Sequence, residues 1–353
     1  MPLFGGSKIK RYILEVVSLK KEFPARSRNP FVRSDRTVKA VDGVSFTVKP
    51  GEVVAVVGES GCGKSTLGRL VIRLLEPSSG AVRVDEEDVT HVSGGELAAL
   101  RSKAQIVFQD PFGSLNPRMT VGDAIAYPMK VNGVFKRNEG KALQARVIEL
   151  LEKVGLNAAH ARRLPHELSG GQRQRVGIAR AIALAPRLVV LDEPVAALDL
   201  SAQARVLNLF KDLQRELGMA YLFITHDLSV AEYMADRIVV MYAGKIMEIG
   251  DRASVFGSPR HPYTEALFSA AVLVTAGDRE ATVLDGDPPS TITPPSGCRF
   301  NTRCPHAGAP CFVEEPGFVK LGAKHEAACH LLTGKLNRRT EAERTEAAAI
   351  VAS

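Results

Sequence analysis

A glycine-rich segment between two regular elements has the clearest capacity for chemistry. It follows the apolar run EVVAVV, precedes a run with helical spacing from Lys64 to Leu75, and fits the pattern G-x-x-x-x-G-K-[ST]. The segment reads Gly58-Glu59-Ser60-Gly61-Cys62-Gly63-Lys64-Ser65-Thr66. Glycine torsions turn successive backbone N–H groups inward, so such a loop cradles phosphate groups at a helix N-terminus. We predict that Lys64 contacts the β- and γ-phosphates of a nucleotide and that Ser65 offers its hydroxyl to Mg²⁺.

Cys62 lies inside this phosphate loop and admits two interpretations. A helix N-terminus and the neighbouring Lys64 both lower the pKa of a thiol, so oxidation of Cys62 would block nucleotide binding. The simpler interpretation, which we favour, is a small side chain that the loop tolerates without using it chemically.

A second group of candidates ends the apolar run from Leu188 to Leu191. Asp192 is placed to hold Mg²⁺ through water, as aspartates at strand ends do in phosphate-loop proteins. Glu193 is placed to polarise the water that attacks the terminal phosphate. The alternative is that both carboxylates cap the next helix. Because a second carboxylate favours hydrolysis over simple binding or transfer, the pair predicts a hydrolase.

A serine–glycine segment defines a second anion-binding helix start, because it leads into the helical run QRQRVGIARAIAL. This signature segment reads Leu168-Ser169-Gly170-Gly171-Gln172. On these residues the chain resembles the ABC ATPase superfamily, and the resemblance covers about Leu14 to Phe256. The other family motifs are the Q-loop glutamine Gln109 in IVFQD, the D-loop Ala197-Leu198-Asp199 and the switch histidine His226 in FITHD.

The resemblance implies that two cassettes pair head to tail, with ATP between the phosphate loop of one and the signature of the other. The nucleotide then stabilises one of two states, and hydrolysis removes that stabilisation. The residues that would contact the partner's ATP are Ser169, Gly170, Gly171 and Gln172.

Roles for the remaining motif residues follow from the same resemblance. His226 would contact the γ-phosphate and the attacking water from the same side as Glu193. Gln109 would sense the γ-phosphate and transmit its presence to the helical insertion and the membrane partner. It would also join Ser65 and Asp192 as a Mg²⁺ ligand.

Adenine in such proteins usually stacks on an aromatic residue that precedes the phosphate loop. Phe23 in KKEFPARS is our candidate for this contact, and Phe31 is the alternative. Either ring could instead fill the core.

Apolar patterns predict the elements that position these residues. Two alternating runs between Tyr12 and Val48 predict antiparallel strands with a long loop between them. The stretch from Met119 to Ala185 lacks a convincing strand and predicts a helical insertion, with one helix between Glu139 and Gly155. A further helix is predicted near Ala202–Leu217. Buried strands of a mainly parallel sheet are predicted at Glu52–Val57, Arg187–Leu191 and Tyr221–Thr225.

These elements predict an α/β fold in several parts. Residues 1–258 should form a phosphate-loop (RecA-like) ABC nucleotide-binding domain with an antiparallel β-subdomain and a helical insertion over about 119–185. After about Phe256 proline and glycine become frequent and four cysteines follow, so residues 259–335 should form a small cysteine-rich C-terminal domain. Residues 336–353 should form a flexible tail.

The composition bounds the class of protein. The chain has 353 residues, 46 Lys and Arg against 39 Asp and Glu, and a net charge of +7, which suits a polyanionic partner. No stretch reaches the ~18 consecutive apolar residues of a spanning helix. The N-terminal sequence MPLFGGSKIKRYILEVV lacks the apolar core and cleavage site of a signal peptide. We therefore expect a cytosolic protein that reaches a membrane only through partners.

Two C-terminal features resemble the ATPase subunits of oligopeptide and dipeptide importers. The first is Arg260-His261-Pro262-Tyr263-Thr264 before EALFSA, and the second is a series of cysteines after GDPPS and PPSGC. The segments VGESGCGKSTLGRL and DPFGSLNPRMTVGD also resemble the F-type member of the paired ATPases in these transporters. This resemblance spans nearly the whole chain, from Tyr12 to His330.

The importer resemblance implies a peripheral subunit at the cytoplasmic face of the inner (plasma) membrane. Its implied partners are a second, related ATPase, two transmembrane permease subunits and a periplasmic or extracellular substrate-binding protein. A homodimer of cassettes is the less favoured arrangement. Di- or oligopeptides are the implied cargo, while close relatives also serve opines, glutathione, nickel or short sugars.

The four C-terminal cysteines are candidates for a metal site. Structural zinc usually shows close C-x₂₋₄-C pairs, which are absent here, and looser spacing suits a [4Fe–4S] cluster, which the family resemblance also implies. Zinc, or free or paired cysteines, are the alternatives. We expect a cluster to act as a structural clip, with redox gating of transport as the other possibility. The candidate ligands are Cys298, Cys304, Cys311 and Cys329.

Three other function classes are less favoured. An ABC protein that acts on ribosomes or DNA would suit the positive charge, but such proteins usually carry two cassettes or long coiled-coil insertions. This chain has one cassette and no heptads, so we expect no direct nucleic-acid partner. Exporters commonly carry fused spanning helices, which this sequence lacks. A non-hydrolysing cassette conflicts with the intact Glu193, His226 and signature.

Overall fold

The computed structural model describes residues 11–25, 36–110, 113–275, 287 and 289–338. Its strands are β1 (Leu14–Pro24), β2 (Thr37–Val48), β3 (Val53–Val57), β4 (Ser79–Val84), β5 (Glu87–Asp88), β6 (Ala104–Val107), β7 (Leu188–Asp192), β8 (Ala220–Ile224), β9 (Arg237–Tyr242), β10 (Lys245–Asp251), β11 (Phe318–Gly322) and β12 (His325–Ala328). Its α-helices are α1 (Lys64–Val71), α2 (Gly94–Lys103), α3 (Val121–Val131), α4 (Gly140–Lys153), α5 (Gly170–Ile182), α6 (Leu200–Leu217), α7 (Leu228–Met234), α8 (Arg252–Gly257), α9 (Pro262–Thr275) and α10 (Ala309–Val313).

The larger sheet has eight strands in the order β11-β12-β10-β9-β3-β8-β7-β6. The five strands from β9 to β6 are parallel, and β10, β12 and β11 extend that sheet with antiparallel pairing. Every residue of β3, β7 and β8 is buried, as expected for strands that are covered on both faces. The predicted mainly parallel α/β sheet is confirmed.

Alternate residues of β3 contribute to two different cores. Val54 and Val56 pack with α1 and the antiparallel sheet. Val53, Ala55 and Val57 pack on the other face with residues of the helical insertion. Because side chains alternate between the two faces of a strand, the larger sheet lies between two apolar layers.

The smaller sheet is antiparallel, in the order β2-β1-β4-β5. β1 pairs with β2 and β4 across irregular registers, which confirms the two antiparallel strands predicted between Tyr12 and Val48. The predicted helix from Lys64 to Leu75 is too long: it ends at Val71. Arg73 has a φ of +56°, a left-handed conformation that cannot continue a right-handed helix.

The predicted helical insertion is present between β6 and β7. It consists of α3, α4, short 3₁₀ turns and α5, and between Met119 and Ala185 the structure has no strand. On α4, Val147, Leu150 and Leu151 are buried, as the apolar spacing predicted. Val121, Ile125 and Met129 of α3 join the same core, so the insertion is packed on the sheet.

The C-terminal segment is continuous with the core sheet. β12 pairs antiparallel with β10, and β11 pairs with β12. The sequence interpretation missed the β9–β10 hairpin. In the structure its turn residues Ala243 and Gly244 have φ angles of +43° and +83°, typical of a tight hairpin turn. The predicted domain boundaries at 258 and 335 stay predictions, and residues 339–353 of the predicted tail lie outside the described part.

Within the described ranges, no helix is both long and apolar enough to span a membrane.

Candidate nucleotide-binding and hydrolysis site

Three motifs follow the carboxyl ends of neighbouring parallel strands. The phosphate loop follows β3, Glu193 follows β7, and His226 follows β8 by two residues. Because the carboxyl ends of parallel strands meet at one edge of a sheet, the strand order β3-β8-β7 brings these motifs together. This edge is the candidate site.

Close packing fixes the backbone of the phosphate loop. Gly58 has a φ of +149° and Gly63 a φ of +105°, both in a region that side chains disfavour. A Cβ at Gly58 would lie 2.1 Å from the Met241 carbonyl oxygen, and one at Gly63 would lie 2.1 Å from the Ala40 carbonyl oxygen. The loop conformation therefore depends on β2 and β9 as well as on its own sequence.

Lys64 is held inside the loop that precedes it. Its side chain is buried, and Nζ donates hydrogen bonds to the carbonyl oxygens of Gly58 at 2.7 Å and Glu59 at 2.9 Å. An ammonium group anchored by two loop carbonyls is oriented before any phosphate arrives, which lowers the cost of binding.

Two of the three predicted Mg²⁺ ligands are in direct contact. The Ser65 hydroxyl donates to Asp192 Oδ1 at 2.7 Å. Asp192 is buried, and burial raises the pKa of its carboxyl group against the opposing effect of the Ser65 hydrogen bond. A hydroxyl and a carboxylate that share one buried space suit a hard cation such as Mg²⁺. The third, Gln109, donates its amide to Glu193 instead, so its role as a Mg²⁺ ligand stays a prediction.

Glu193 lies between the Q-loop glutamine and the switch histidine. Gln109 Nε2 donates to Glu193 Oε2 at 2.9 Å, and His226 Nδ1 lies 3.1 Å from Glu193 Oε1. Glu193 has a φ of +47°, and such left-handed backbone in a residue with a side chain concentrates at functional sites. The arrangement orients one carboxylate at the sheet edge next to the phosphate loop.

The signature serine caps helix α5. The Ser169 hydroxyl oxygen accepts a hydrogen bond from the Gln172 N–H, and the Ser169 N–H donates in return to the side-chain oxygen Oε1 of Gln172. This capping box leaves an ordered helix N-terminus, which attracts anions. The D-loop Asp199 likewise caps α6 by accepting from the Ala202 N–H. A Cβ on Gly171 would lie 3.7 Å from the Ala202 Cβ, so signature and D-loop are adjacent.

Phe23 lies on β1, half-buried and opposite Val38 of β2. The Lys21 ammonium lies 5.1 Å from its ring centroid. Its predicted contact with adenine stays a prediction, and the alternative, Phe31, lies outside the described residues.

The surroundings of Cys62 favour the simpler of its two interpretations. Its side chain is buried, and burial raises the pKa of the thiol against the lowering effect of Lys64. A raised pKa disfavours the reactive thiolate, so the small tolerated side chain is the better account.

The four C-terminal cysteines lie near one another. Burial raises the thiol pKa of Cys298 and Cys304 to about 12 and that of Cys329 to about 11. Neighbouring cysteines, Cys311 among them, contribute to raising each of these pKa values. All are free thiols. Within the described ranges, no three His, Cys, Asp or Glu side chains are placed to share one metal ion. The structure therefore gives no support to zinc, and the predicted [4Fe–4S] cluster is not confirmed.

Sequence reasoning missed two residues that contact the phosphate loop. Arg303 donates to both carboxylate oxygens of Glu59, and the Tyr263 hydroxyl accepts from the Glu59 N–H. No local pattern could have indicated either contact, because 244 positions separate Arg303 from Glu59.

His261 is enclosed beside these contacts. It is buried, its Nδ1 accepts from the Tyr263 N–H at 3.0 Å, and burial lowers its pKa to about 3. In an unfolded chain the value is about 6.5. Below that pH the unfolded state takes up a proton that the folded state excludes, so stability falls as the pH drops from 6.5 towards 3.

Replacement of His261 by Asn should flatten this pH dependence, because the amide oxygen can accept the same hydrogen bond without titrating. For the wild type we expect a loss from this group on the order of 2 kcal/mol at pH 5. The measurement is the free energy of unfolding against pH for both proteins. Equal slopes between pH 6.5 and 5 would contradict the assignment.

A cleft of about 570 Å³ adjoins the hydrolysis residues. Phe108, Gln109 and Asp192 contribute to its wall, and Arg180 of α5 reaches it from the insertion. A larger cleft of about 840 Å³ lies elsewhere, along β2, β10 and the C-terminal strands. We assign the hydrolysis chemistry to the strand edge, where the oriented groups are, and not to the larger volume.

The fold and the site match proteins of one family. The family model for ABC transporters matches residues 41–196, and the model for the C-terminal region of oligopeptide/dipeptide transporters matches residues 247–311. The oligopeptide transport ATP-binding protein AppF of Bacillus subtilis is 48% identical over 323 residues, which cover 90% of this chain and 97% of that protein. The dipeptide transport ATP-binding protein DppF of Escherichia coli is 44% identical, with 90% and 93% covered.

Solved structures agree with this assignment. The ATP-binding cassette MJ0796, in a dimeric post-hydrolysis state bound to ADP and Pi, is 29% identical with a TM-score of 0.60, and the match covers 68% of this chain and 98% of that one. CbiO1 from Clostridium perfringens, part of the ABC transporter complex cbiONQ, is 31% identical with a TM-score of 0.59, over 70% and 92% of the two chains. The chain belongs to the ATP-binding subunits of the oligopeptide and dipeptide ABC transporters.

Proposed function

We propose that this chain binds and hydrolyses ATP and thereby powers import of di- or oligopeptides through partner membrane subunits. The observation that carries the proposal is the position of Glu193, which is held by Gln109 and His226 at the strand edge beside the phosphate loop. The names of the relatives support peptides as the cargo.

In the proposed mechanism, the loop N–H groups and Lys64 bind the phosphates, and Ser65 and Asp192 would hold Mg²⁺. The metal ion, when bound, neutralises charge on the phosphate oxygens. Glu193 accepts hydrogen bonding from the attacking water and polarises it. His226 and Gln109 orient the Glu193 carboxylate. His226 would then contact the attacking water and the γ-phosphate from the same side as Glu193.

The second half of the ATP site would come from a related cassette. Ser169, Gly170 and Gly171 lie at an ordered helix start, and Asp199 lies beside them. We propose head-to-tail pairing with a second, related ATPase subunit, with the signature of each contacting ATP on the other.

Permease subunits would dock on the helical insertion. The 570 Å³ cleft at Gln109 opens beside Arg180 of α5, and α3 leaves Tyr127, Val131 and the following Val134 more than half exposed. Helix α5, which contributes Arg180 to the cleft, packs against α3. We propose that two transmembrane subunits bind there and hold the chain at the cytoplasmic face of the inner membrane, with a binding protein delivering cargo from outside.

A strain that lacks this chain tests the cargo. We expect it to lose uptake of labelled di- and oligopeptides, and to regain uptake with the wild-type chain but not with Glu193→Gln. Unchanged peptide uptake with lost uptake of an opine, glutathione or nickel would transfer the same motor role to that cargo. Unchanged uptake of all four, with salt-sensitive nucleic-acid binding by the purified chain, would favour the nucleic-acid alternative.

Replacing Ser169 by Asp should impair the function of the signature without disturbing the fold. Aspartate caps helices as well as serine does, but its carboxylate would repel the γ-phosphate on the partner. We expect ATP binding by the single chain to be kept and turnover to fall by at least about a hundredfold. The control is Ser93→Asp at the N-terminus of α2, which should leave turnover unchanged. Comparable loss of turnover in both variants would remove Ser169 from this role.

We further propose that the four cysteines hold a [4Fe–4S] cluster. The support is a donor set of four thiols, three of them buried, that influence one another electrostatically. In such a cluster each thiolate binds a different iron, so the four sulfur atoms need not converge on one ion. We favour a structural role for the cluster, as a clip that holds the C-terminal segment together.

Anaerobic purification followed by iron and sulfide analysis tests the cluster. We expect roughly four irons and four sulfides per chain and a broad visible band. Cys304→Ser should bleach that band. One zinc per chain, or no metal, would withdraw the cluster and leave the ATPase assignment intact.

A further inference from the structure

A loop of the C-terminal segment contacts the phosphate loop through a buried arginine. The Arg303 side chain is 6% exposed. Its Nη1 donates to Glu59 Oε1 at 3.1 Å, to Glu59 Oε2 at 2.8 Å and to the Tyr242 hydroxyl at 3.3 Å. Glu59 is the second residue of the phosphate loop, and its side chain is 23% exposed. The ion pair therefore joins two distant parts of the chain in a mostly dry space.

A second contact holds the backbone of the same residue. The Glu59 N–H donates to the hydroxyl of Tyr263 at 2.9 Å, and Tyr263 is fully buried. Its ring lies 4.6 Å from that of Tyr242 and 5.4 Å from that of Phe300, between centroids. The start of α9 and the loop after Cys298 thus form a packed aromatic support behind the phosphate loop.

Glu59 in turn holds the phosphate-binding lysine. The Glu59 carbonyl oxygen accepts from Lys64 Nζ at 2.9 Å, beside the Gly58 carbonyl at 2.7 Å. One residue therefore joins Arg303 and Tyr263 to Lys64, through its carboxylate, its N–H and its carbonyl. Displacement of Glu59 would alter both the loop backbone and the anchoring of the lysine.

We propose that Arg303 and Tyr263 are positioning residues of the ATP site, through which the docked C-terminal segment sets the affinity for ATP. This inference rests on the proposed function and extends it. A loop already held in its phosphate-binding shape spends less free energy on ordering when ATP binds. Without Arg303 the Glu59 carboxylate is left partly buried and unpaired, which favours other loop conformations.

A neighbouring ion pair offers a matched control. Arg299 belongs to the same loop, its side chain is 7% exposed, and it pairs with Asp42 of β2. Its described contacts do not include the phosphate loop. Substitution of Arg299 therefore reports the cost of losing a buried arginine that joins the C-terminal segment to the core, without the effect on Glu59.

The test compares Arg303→Gln and Arg299→Gln in the full chain, with a fluorescent ATP analogue to measure affinity and thermal unfolding to measure stability. We expect Arg303→Gln to weaken ATP binding at least about tenfold, to raise KM for ATP, and to leave kcat at saturating ATP within about twofold. Arg299→Gln should lower Tm but leave ATP affinity within about twofold. Equal ATP affinity in the two variants would overturn the inference.

A double-mutant cycle tests the partner. If Arg303 acts through Glu59, Glu59→Gln combined with Arg303→Gln should bind ATP no more weakly than Arg303→Gln alone. Additive losses would overturn the proposed route.

Tyr263→Phe keeps the test decisive if the arginine variant does not fold, because it removes only one hydroxyl. We expect a loss of about threefold in ATP affinity. The control is Tyr221→Phe, whose hydroxyl donates to the Phe210 carbonyl in the core. Unchanged affinity in Tyr263→Phe would overturn its role. Absence of ATP binding by the wild type would instead overturn the proposed function, so the two failures are distinguishable.

Discussion

Replacing Glu193 by Gln should nearly abolish ATP turnover while ATP binding is kept. The amide preserves the size of the side chain and its contacts with Gln109 and His226, but it cannot polarise the attacking water as a carboxylate does. Loss of a general base typically costs a factor of about 10² to 10⁴. In the proposed cassette pair, ATP that is bound but not hydrolysed would remain between the two chains and stabilise the pair.

Turnover, nucleotide affinity and molecular mass in solution with ATP and Mg²⁺ check this expectation. The variant should bind ATP like the wild type and run as a cassette pair. Glu232→Gln, an exposed glutamate on α7, is the matched control and should keep full turnover. Wild-type turnover in the Glu193 variant would remove this residue from its assigned role.

Replacing Lys64 by Ala should weaken nucleotide binding itself. The ammonium group is buried, and two loop carbonyls orient it towards the space where phosphates would lie. Hydrogen bonds to charged groups are worth about 1.5 to 3 kcal/mol, so we expect the Kd for ATP to rise by at least about tenfold. Unlike the Glu193 variant, this protein should not form a cassette pair with ATP.

Direct titration with ATP checks the lysine. Thermal unfolding without nucleotide should accompany it, because the substitution also removes two hydrogen bonds within the loop. Lys49→Ala is the control, since Lys49 is exposed in the turn before β3. If Lys64→Ala binds ATP as tightly as Lys49→Ala does, the loop does not use this ammonium group for phosphate.

Much of the hydrolysis site could be predicted from local sequence. The phosphate loop, Asp192 with Glu193, and the signature each occupy adjacent positions, and their chemistry depends on short spacing after a strand or before a helix. Apolar runs in the sequence indicated the buried strands. The absence of a strand-like run between Met119 and Ala185 indicated the helical insertion. Element ends were less certain, as Arg73 shows, because one left-handed residue ends a helix whose apolar pattern continues.

The environment of each group could not be predicted in the same way. Cys62 has the neighbours of a reactive thiol in sequence, but packing against β2 and β9 buries it and raises its pKa. Gln109 donates to Glu193, a contact that its local sequence did not indicate. Burial and the choice among hydrogen-bond partners depend on side chains from distant segments, which no local spacing records.

By itself, the sequence determined that this chain is an ABC ATPase, since the chemistry of that class resides in short motifs in a set order, and its resemblance outside those motifs indicated the peptide transporters. Only the tertiary structure decided that the C-terminal segment extends the core sheet through β12 and supports Glu59 through Arg303 and Tyr263. The contacts of Glu59 with Tyr263 and Arg303 join residues more than 200 positions apart. They exist because strand pairing and burial bring the segments together, not because of any pattern along the chain.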